Sequence, residues 1–230
     1  MSSENANDDF SLILAASVHD MKNSLGMLLG SLDEVISEMD PANQRQAKQF
    51  TTLQYEASRI SAELVQLLSV YRMQKQRLPV TIDEQYVIEL LEDQITRNET
   101  LFTMQGITVH LDCAEDLVWY FDGEMVAAVI NDALVNASRY TKDKILVSAQ
   151  ITDQCLEVRI SDNGPGFPRA MLGAQTADYE AQEFDRHRTN LGLYFASQIA
   201  KRHKRNDITG RLELLNAGRL PGGELVLILP

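Results

Sequence analysis

The chain has 230 residues, enough for one large or two modest domains that each bury a core of their own. Its 33 acidic and 21 basic residues leave a net charge of −12, which argues against broad binding to a nucleic-acid backbone, where a basic stripe is needed. No stretch approaches the roughly 18 uninterrupted apolar residues of a membrane span, and the polar, acidic start MSSENANDDF has neither the basic nor the apolar part of a secretion signal. A cytoplasmic protein that receives any signal through a partner is the expectation.

The first 76 residues read as a helical hairpin. Leu14, Val18, Met21, Leu25, Leu28, Leu32, Val35 and Met39 recur at alternating spacings of four and three, and Phe50, Leu53, Ala57, Ile60, Leu64, Leu67 and Tyr71 repeat the rhythm. Met39-Asp40-Pro41-Ala42-Asn43 supplies the break between them, since proline is tolerated at a helix start and not inside one. Two such helices bury little area alone, so pairing of two hairpins into a four-helix bundle, a homodimer, is the natural inference.

From about residue 80 the period changes. Residues 83–104 read as helix, ITVHLDC (107–113) as a strand, and 123–140 as helix again. KILVSAQIT (144–152) and CLEVRISD (155–162) form a predicted β-hairpin about Asp153-Gln154. A polar loop runs to about residue 188, followed by a helix over 189–204. A closing hairpin joins 210–218 to 224–230 across Gly222-Gly223. The fold class expected is α+β: residues 1–79 as the antiparallel helical hairpin, and 80–230 as an α/β sandwich with one mixed sheet covered on one face by helices. Trp119, Tyr120 and Phe121 read as packing residues and Lys201–Arg205 as a cationic helix end. Cys113 and Cys155 read as small buried thiols, without metal or disulfide spacing.

Four groups of residues carry chemistry. With Val18 and Met21 on the seam, His19 falls just off it, beside Asp20 and one helical turn before Asn23. A carboxylate can accept the Nδ1 proton and leave Nε2 free as a nucleophile. Farther on, Asp162-Asn163-Gly164-Pro165-Gly166 follows a strand. Its glycines let the backbone approach a flat ligand, and Asp162 can accept a hydrogen bond from an exocyclic amine such as that of adenine. On the helix before it, Asp132 and Asn136 share a face, able to reach a metal or phosphates. Thr189-Asn190-Leu191-Gly192-Leu193 opens a helix whose free N–H groups could receive phosphate.

In this order the motifs resemble the catalytic core of a two-component sensor histidine kinase, a dimerisation and phosphotransfer hairpin followed by a GHKL-type ATP-binding domain, over nearly the whole chain from about residue 9. The resemblance rests on the H-box His19-Asp20-Met21-Lys22-Asn23, the N-box ending Asn136-Ala137-Ser138-Arg139-Tyr140-Thr141, the G1 box Asp162-Asn163-Gly164-Pro165-Gly166 and the region around Leu191-Gly192-Leu193. It implies ATP and Mg²⁺ as cofactors, His19 as phosphoacceptor with Asp20 as its general base, and Asn136 as the Mg²⁺ ligand. Asp132, Arg139, Tyr140, Asn163, Asn190, Leu191 and Gly192 would lie at the nucleotide, with Asp162 reading the adenine amine and Gly164 and Gly166 shaping the pocket. Asn23 would orient water for hydrolysis of a phospho-aspartate, and 167–188 would be the ATP lid. The implied partners are a response-regulator receiver domain, an upstream sensor or regulatory protein, and a second copy of the chain.

Three positions depart from the pattern. Ser24 replaces the usual H-box proline, and Asp132 replaces the first N-box asparagine unless that residue is displaced to Asn131. The G2 segment Arg188-Thr189-Asn190-Leu191-Gly192 keeps one glycine. The last of these leaves two alternatives beside the kinase: a histidine phosphotransfer relay with a vestigial ATP domain, and a dimeric regulatory scaffold.

Overall fold

The computed structural model divides the chain into two compact units, Met1–Leu78 and Pro79–Pro230. It describes residues 17–18, 20–21, 23–32, 34–36, 46, 49–50, 53, 56–57, 60–61, 64, 79–172 and 191–230. In the first unit every described position from 17 to 64 is helical. The predicted turn at 39–43, the expected phosphoacceptor His19, the part of the expected ATP lid beyond Leu172 and Asn190 lie outside the described residues.

The second unit runs β1 (Asp83–Tyr86), α1 (Val87–Arg97), α2 (Glu99–Gln105), β2 (Thr108–Asp112), β3 (Val118–Phe121), α3 (Gly123–Tyr140), β4 (Lys144–Thr152), β5 (Cys155–Asp162), a 3-10 turn (Arg169–Met171), α4 (Leu191–Arg202), β6 (Lys204–Arg205), β7 (Ile208–Thr209), β8 (Arg211–Asn216) and β9 (Gly223–Leu229). Five strands form the main sheet in the order β2-β4-β5-β9-β8, with β2 and β4 parallel and every other pair antiparallel. Register puts Leu156, Val158 and Ile160 opposite Leu229, Leu227 and Leu225, so one face is continuous hydrocarbon. Helices α1, α3 and α4 cover this face with Leu91, Ile130, Leu134 and Ile199, all fully buried. Each such side chain contributes about 1.5–3 kcal/mol relative to exposure, more than any one surface contact in the unit.

The β4–β5 turn, Asp153-Gln154, has both residues at positive φ (51° and 63°), which matches the twist of a two-residue hairpin and aligns Thr152 with Cys155. Helix α3 starts where Asp122 accepts from Met125 N at 3.0 Å, and the second oxygen of the same carboxylate accepts from Thr81 N at 2.9 Å.

The structure differs from the sequence expectation in three places. Residues 83–86 are a strand that pairs antiparallel with β3, so Trp119, Tyr120 and Phe121 belong to a two-stranded ribbon. The predicted helix over 83–104 is also broken at Asn98. Its side-chain amide donates to Gln94 O at 2.9 Å and to Asn131 Oδ1 at 2.8 Å, a tertiary tie that closes α1. His203 does not belong to a cationic surface run: it is buried, with Lys204 and Arg205 exposed beyond it in β6. Asp122 N donates to its Nε2 at 3.0 Å, so Nδ1 carries the proton that goes to Ile199 O at 2.8 Å. The neutral ring joins the end of α4 to the start of α3.

Burial holds His203 below the usual imidazole value, against the opposing pull of the Ile199 carbonyl and of Asp122. The unfolded chain therefore protonates first, near pH 6.5. Stability held by the neutral ring is complete above that value and is lost as pH falls below it. The melting temperature of the wild type is expected to fall more steeply than that of His203→Gln between about pH 7.5 and about pH 5.5; parallel profiles would contradict the assignment.

Candidate functional site

The site is built where the C-terminal half of α3 meets the end of β5. Asp162 is the last residue of β5, on the helix-covered face, and is 7% exposed. Its Oδ1 accepts from Gly164 N at 2.7 Å, and Oδ2 has no hydrogen-bond partner among the described residues. A nearly buried carboxylate with one unmet oxygen is costly unless a donor arrives. A Cβ at Gly164 would collide with the Tyr140 carbonyl, so glycine is what allows β5 to close on the last turn of α3.

Asn163 does not face outward. Its Oδ1 accepts from Lys142 N at 3.1 Å and Lys144 N at 3.2 Å and lies 2.8 Å from the Thr141 hydroxyl, while Nδ2 donates to Asp143 Oδ1 at 2.7 Å. The side chain is spent on holding the 141–144 turn against the end of β5.

Along α3, residues 132, 136 and 140 rise at one-turn intervals on a single face. The far end of this stripe is fixed at α4: a Cβ on Gly192 would run into the Asp132 carboxylate, which therefore stands against the first turn of that helix. Asn136, midway between the two ends, is half-buried, and its amide makes no hydrogen bond among the described residues. Asn131 accepts from Asn98, toward α1 and α2, so it is Asp132 that shares the cleft with Asn136. Arg139 and Tyr140 are exposed at the rim, and Leu191 opens α4. In the first unit, Asp20 and Asn23 are exposed helical residues.

Gly166 takes the left-handed conformation (φ 79°) directly against the Asn216 amide. Asn216 then clamps the next residue: its Oδ1 accepts from Phe167 N at 2.7 Å and its Nδ2 donates to Phe167 O at 2.8 Å. Gly222 N donates to Asp162 O at 3.0 Å, so the 217–222 turn forms a second wall beside the carboxylate.

That wall hangs on Glu224, which is 1% exposed and accepts from Ser161 Oγ at 2.6 Å, Arg159 Nη1 at 2.7 Å and Arg219 N at 3.0 Å. Burial opposes its ionisation, but these three donors outweigh it and hold the carboxyl below the usual carboxylate value. Sequence reasoning missed Asn216 and Glu224. Neither lies in a motif, and only the pair Gly222-Gly223 signalled a tight backbone there.

The arrangement offers an acceptor for an amine at Asp162, an amide oxygen at Asn136 suited to a hard cation, and a helix start at α4. Residues 121–224 match the family of histidine kinase-, DNA gyrase B-, and HSP90-like ATPases. The sensor protein SrrB of Staphylococcus aureus strain N315 is 22% identical over 191 residues, covering 80% of this chain and 33% of that protein. SrrB of strain NCTC 8325 matches to the same extent. The chain thus spans about a third of the length of these curated relatives. Among solved structures, Acinetobacter baumannii histidine kinase AdeS superposes with a TM-score of 0.60 at 17% identity, covering 90% of this chain and 95% of that one. Full-length ShkA in complex with AMPPNP gives 0.64 at 18% identity, covering 94% and 44%. Residues 121–224 are thus similar to this ATPase family, and the chain as a whole resembles a histidine kinase catalytic core.

Proposed function

We propose that the chain is the catalytic core of an ATP-dependent protein histidine kinase of a two-component system, autophosphorylating His19 and passing the phosphoryl group to a response-regulator aspartate. The observation that carries this reading is the close approach of α3 and β5 at Gly164 and Tyr140, which leaves one Asp162 oxygen and, one turn before Tyr140, the Asn136 amide without a hydrogen bond among the described residues. In this reading Asp162 accepts from the adenine amine, while Gly164, Gly166 and the Asn216 clamp hold the backbone beside the base. Asn136 would hold Mg²⁺, which supplies charge neutralisation on the transferred phosphoryl group. Arg139 and Tyr140 line the rim, and Asn190, Leu191 and Gly192 receive phosphate at the start of α4.

His19 Nε2 attacks the γ-phosphorus as the bond to the ADP oxygen breaks, and Asp20 accepts the Nδ1 proton. General-base help of this kind is worth about 10²–10⁴-fold. Phosphoryl transfer from the imidazole to a receiver aspartate then regenerates His19. Asn23, exposed one turn on, would orient water against the phospho-aspartate and give phosphatase activity. A homodimer fits the exposed seam residues Met21, Leu28, Val35, Leu53 and Ile60, a row of apolar side chains that a second hairpin would cover. The reading places the chain with its ATP in the cytoplasm. Among the described residues no helix is long and apolar enough to cross a membrane.

One observation favours the relay as a second reading. The Asp132 carboxylate stands against the first turn of α4, where phosphate would bind, and like charge there weakens ATP. In that case His19 exchanges phosphate with receivers alone.

Incubation with γ-labelled ATP and Mg²⁺ is expected to leave acid-labile label on the wild type and none on His19→Ala. Label arriving only from a phosphorylated receiver domain would replace the kinase with the relay, and no label by either route would leave the scaffold. Asp162→Ala is expected to weaken Mg·ATP binding by about tenfold or more, roughly 1.4 kcal/mol; unchanged affinity would remove the adenine assignment. Asp132→Asn is expected to tighten nucleotide binding by about threefold as a like charge is withdrawn, whereas weakened binding would make Asp132 a metal ligand.

A further inference from the structure

A groove of about 710 Å³ lies between β1, α1 and the start of α3. Glu124 at its edge is 12 residues before Asn136 on the same helix, about 18 Å along the axis, so the groove is separate from the nucleotide cleft. Asp83, Glu89, Asp93 and Glu124 line it, are exposed, and make no ion pair or side-chain hydrogen bond. Arg97 is the one cation among its described lining residues. Two further acids at the groove are already engaged: Asp122 caps α3, and Glu84 accepts from the Tyr120 hydroxyl at 2.6 Å.

A solvated acidic face alone would carry no meaning on a chain of net charge −12. What distinguishes this one is Gln94. It is 4% exposed and lines the groove, yet its side-chain amide has no hydrogen-bond partner. Trp119 Nε1 is the only fully enclosed side-chain polar atom without a partner among the described residues, so the Gln94 amide is open to the groove rather than sealed in the core. An amide open to the groove is left to solvent in the free protein, and a ligand seated there would supply its hydrogen bonds instead.

The chemistry of that ligand follows from three features. Four unpaired carboxylates call for positive charge. Among the described residues no three acidic, histidine or cysteine side chains are grouped to hold a metal ion, so the charge is spread along the groove and suits several spaced cations. The Gln94 amide presents both donors and an acceptor, which an aliphatic polyamine, donating only, leaves half unmet. A peptide backbone supplies the missing acceptor. We propose that this groove docks a short basic segment of a partner protein, its lysine or arginine side chains against Asp83, Glu89, Asp93 and Glu124 and its backbone against Gln94. The assignment stands apart from the nucleotide reading, because no residue of that cleft lines the groove.

The test titrates the full chain against a fluorescein-labelled decapeptide of alternating arginine and serine, read by anisotropy. Saturable one-to-one binding is expected, weakened by about tenfold in the double variant Glu89→Gln/Asp93→Asn and by about fivefold in Gln94→Met. The control pair Glu115→Gln/Asp116→Asn, exposed acids outside the groove, is expected to leave it unchanged. Both Glu89 and Asp93 are exposed, so their variant tests the groove even if Gln94→Met lowers the melting temperature. Equal loss in the control pair would overturn the proposal in favour of general attraction to an acidic protein. Spermine that binds as tightly as the peptide, with no change in Gln94→Met, would overturn it in favour of a free polyamine.

Discussion

The Asn163 carboxamide gathers the turn between α3 and β4 onto the end of β5, and the candidate site depends on that junction. One side-chain oxygen meets the Lys142 and Lys144 amides and the Thr141 hydroxyl, and the amide nitrogen meets the Asp143 carboxylate. A single hydrogen bond of this kind nets only about 0.5–1.5 kcal/mol, but one shared acceptor makes several of them at once and so fixes the path of the turn. With the turn fixed, the Tyr140 carbonyl comes against Gly164, and Asp162 is presented to the stripe of Asp132 and Asn136. One Asp162 oxygen and the Asn136 amide make no hydrogen bond among the described residues, which leaves them available to a ligand.

The opposite wall uses an acid where an acidic protein has least reason to bury one. Glu224 is sequestered on the sheet, and ionisation survives only because Ser161, Arg159 and Arg219 all donate to it. Ser161 precedes Asp162, and Arg219 belongs to the 217–222 turn. The one carboxylate therefore couples the end of β5 to the backbone that closes beside Asp162. Asn216 extends the coupling to Phe167, the first residue of the segment read from sequence as the lid.

Elements whose burial period is carried by their own residues were legible in the sequence. The β4–β5 hairpin, β2, β8 and α3 follow from alternation and helical spacing, and β9 from its continuous apolar run, which is buried along its whole length between β5 and β8. The ribbon of β1 and β3 was not. DEQY has no alternation, and its partner VWYF lies more than 30 residues away, so the pairing is decided by tertiary contact. The break at Asn98 was hidden for the same reason: its partner, Asn131, is on another helix. His203 was read among lysines and arginines by local charge, while its burial depends on Asp122, 81 residues earlier.

In the site, the order of motifs singled out Asp162, Asn136 and both close-approach glycines, which lie where α3 and β5 meet. It singled out Asn163 too, whose side chain bonds to the 141–144 turn. It also left Asn131 and Asp132 as alternatives, which the direction of the Asn98 bond separates. Supporting residues such as Asn216 and Glu224 carry no motif, since their role is defined by which backbone they hold.

The central claim is that close apposition of α3 and β5 creates a nucleotide site, and Mg·ATP titration of Gly164→Ala tests it most directly. The added methyl meets the Tyr140 carbonyl without touching the hydrocarbon face of the sheet. Affinity is predicted to fall by about tenfold or more while the domain still unfolds cooperatively; wild-type affinity in a folded Gly164→Ala protein would contradict the account.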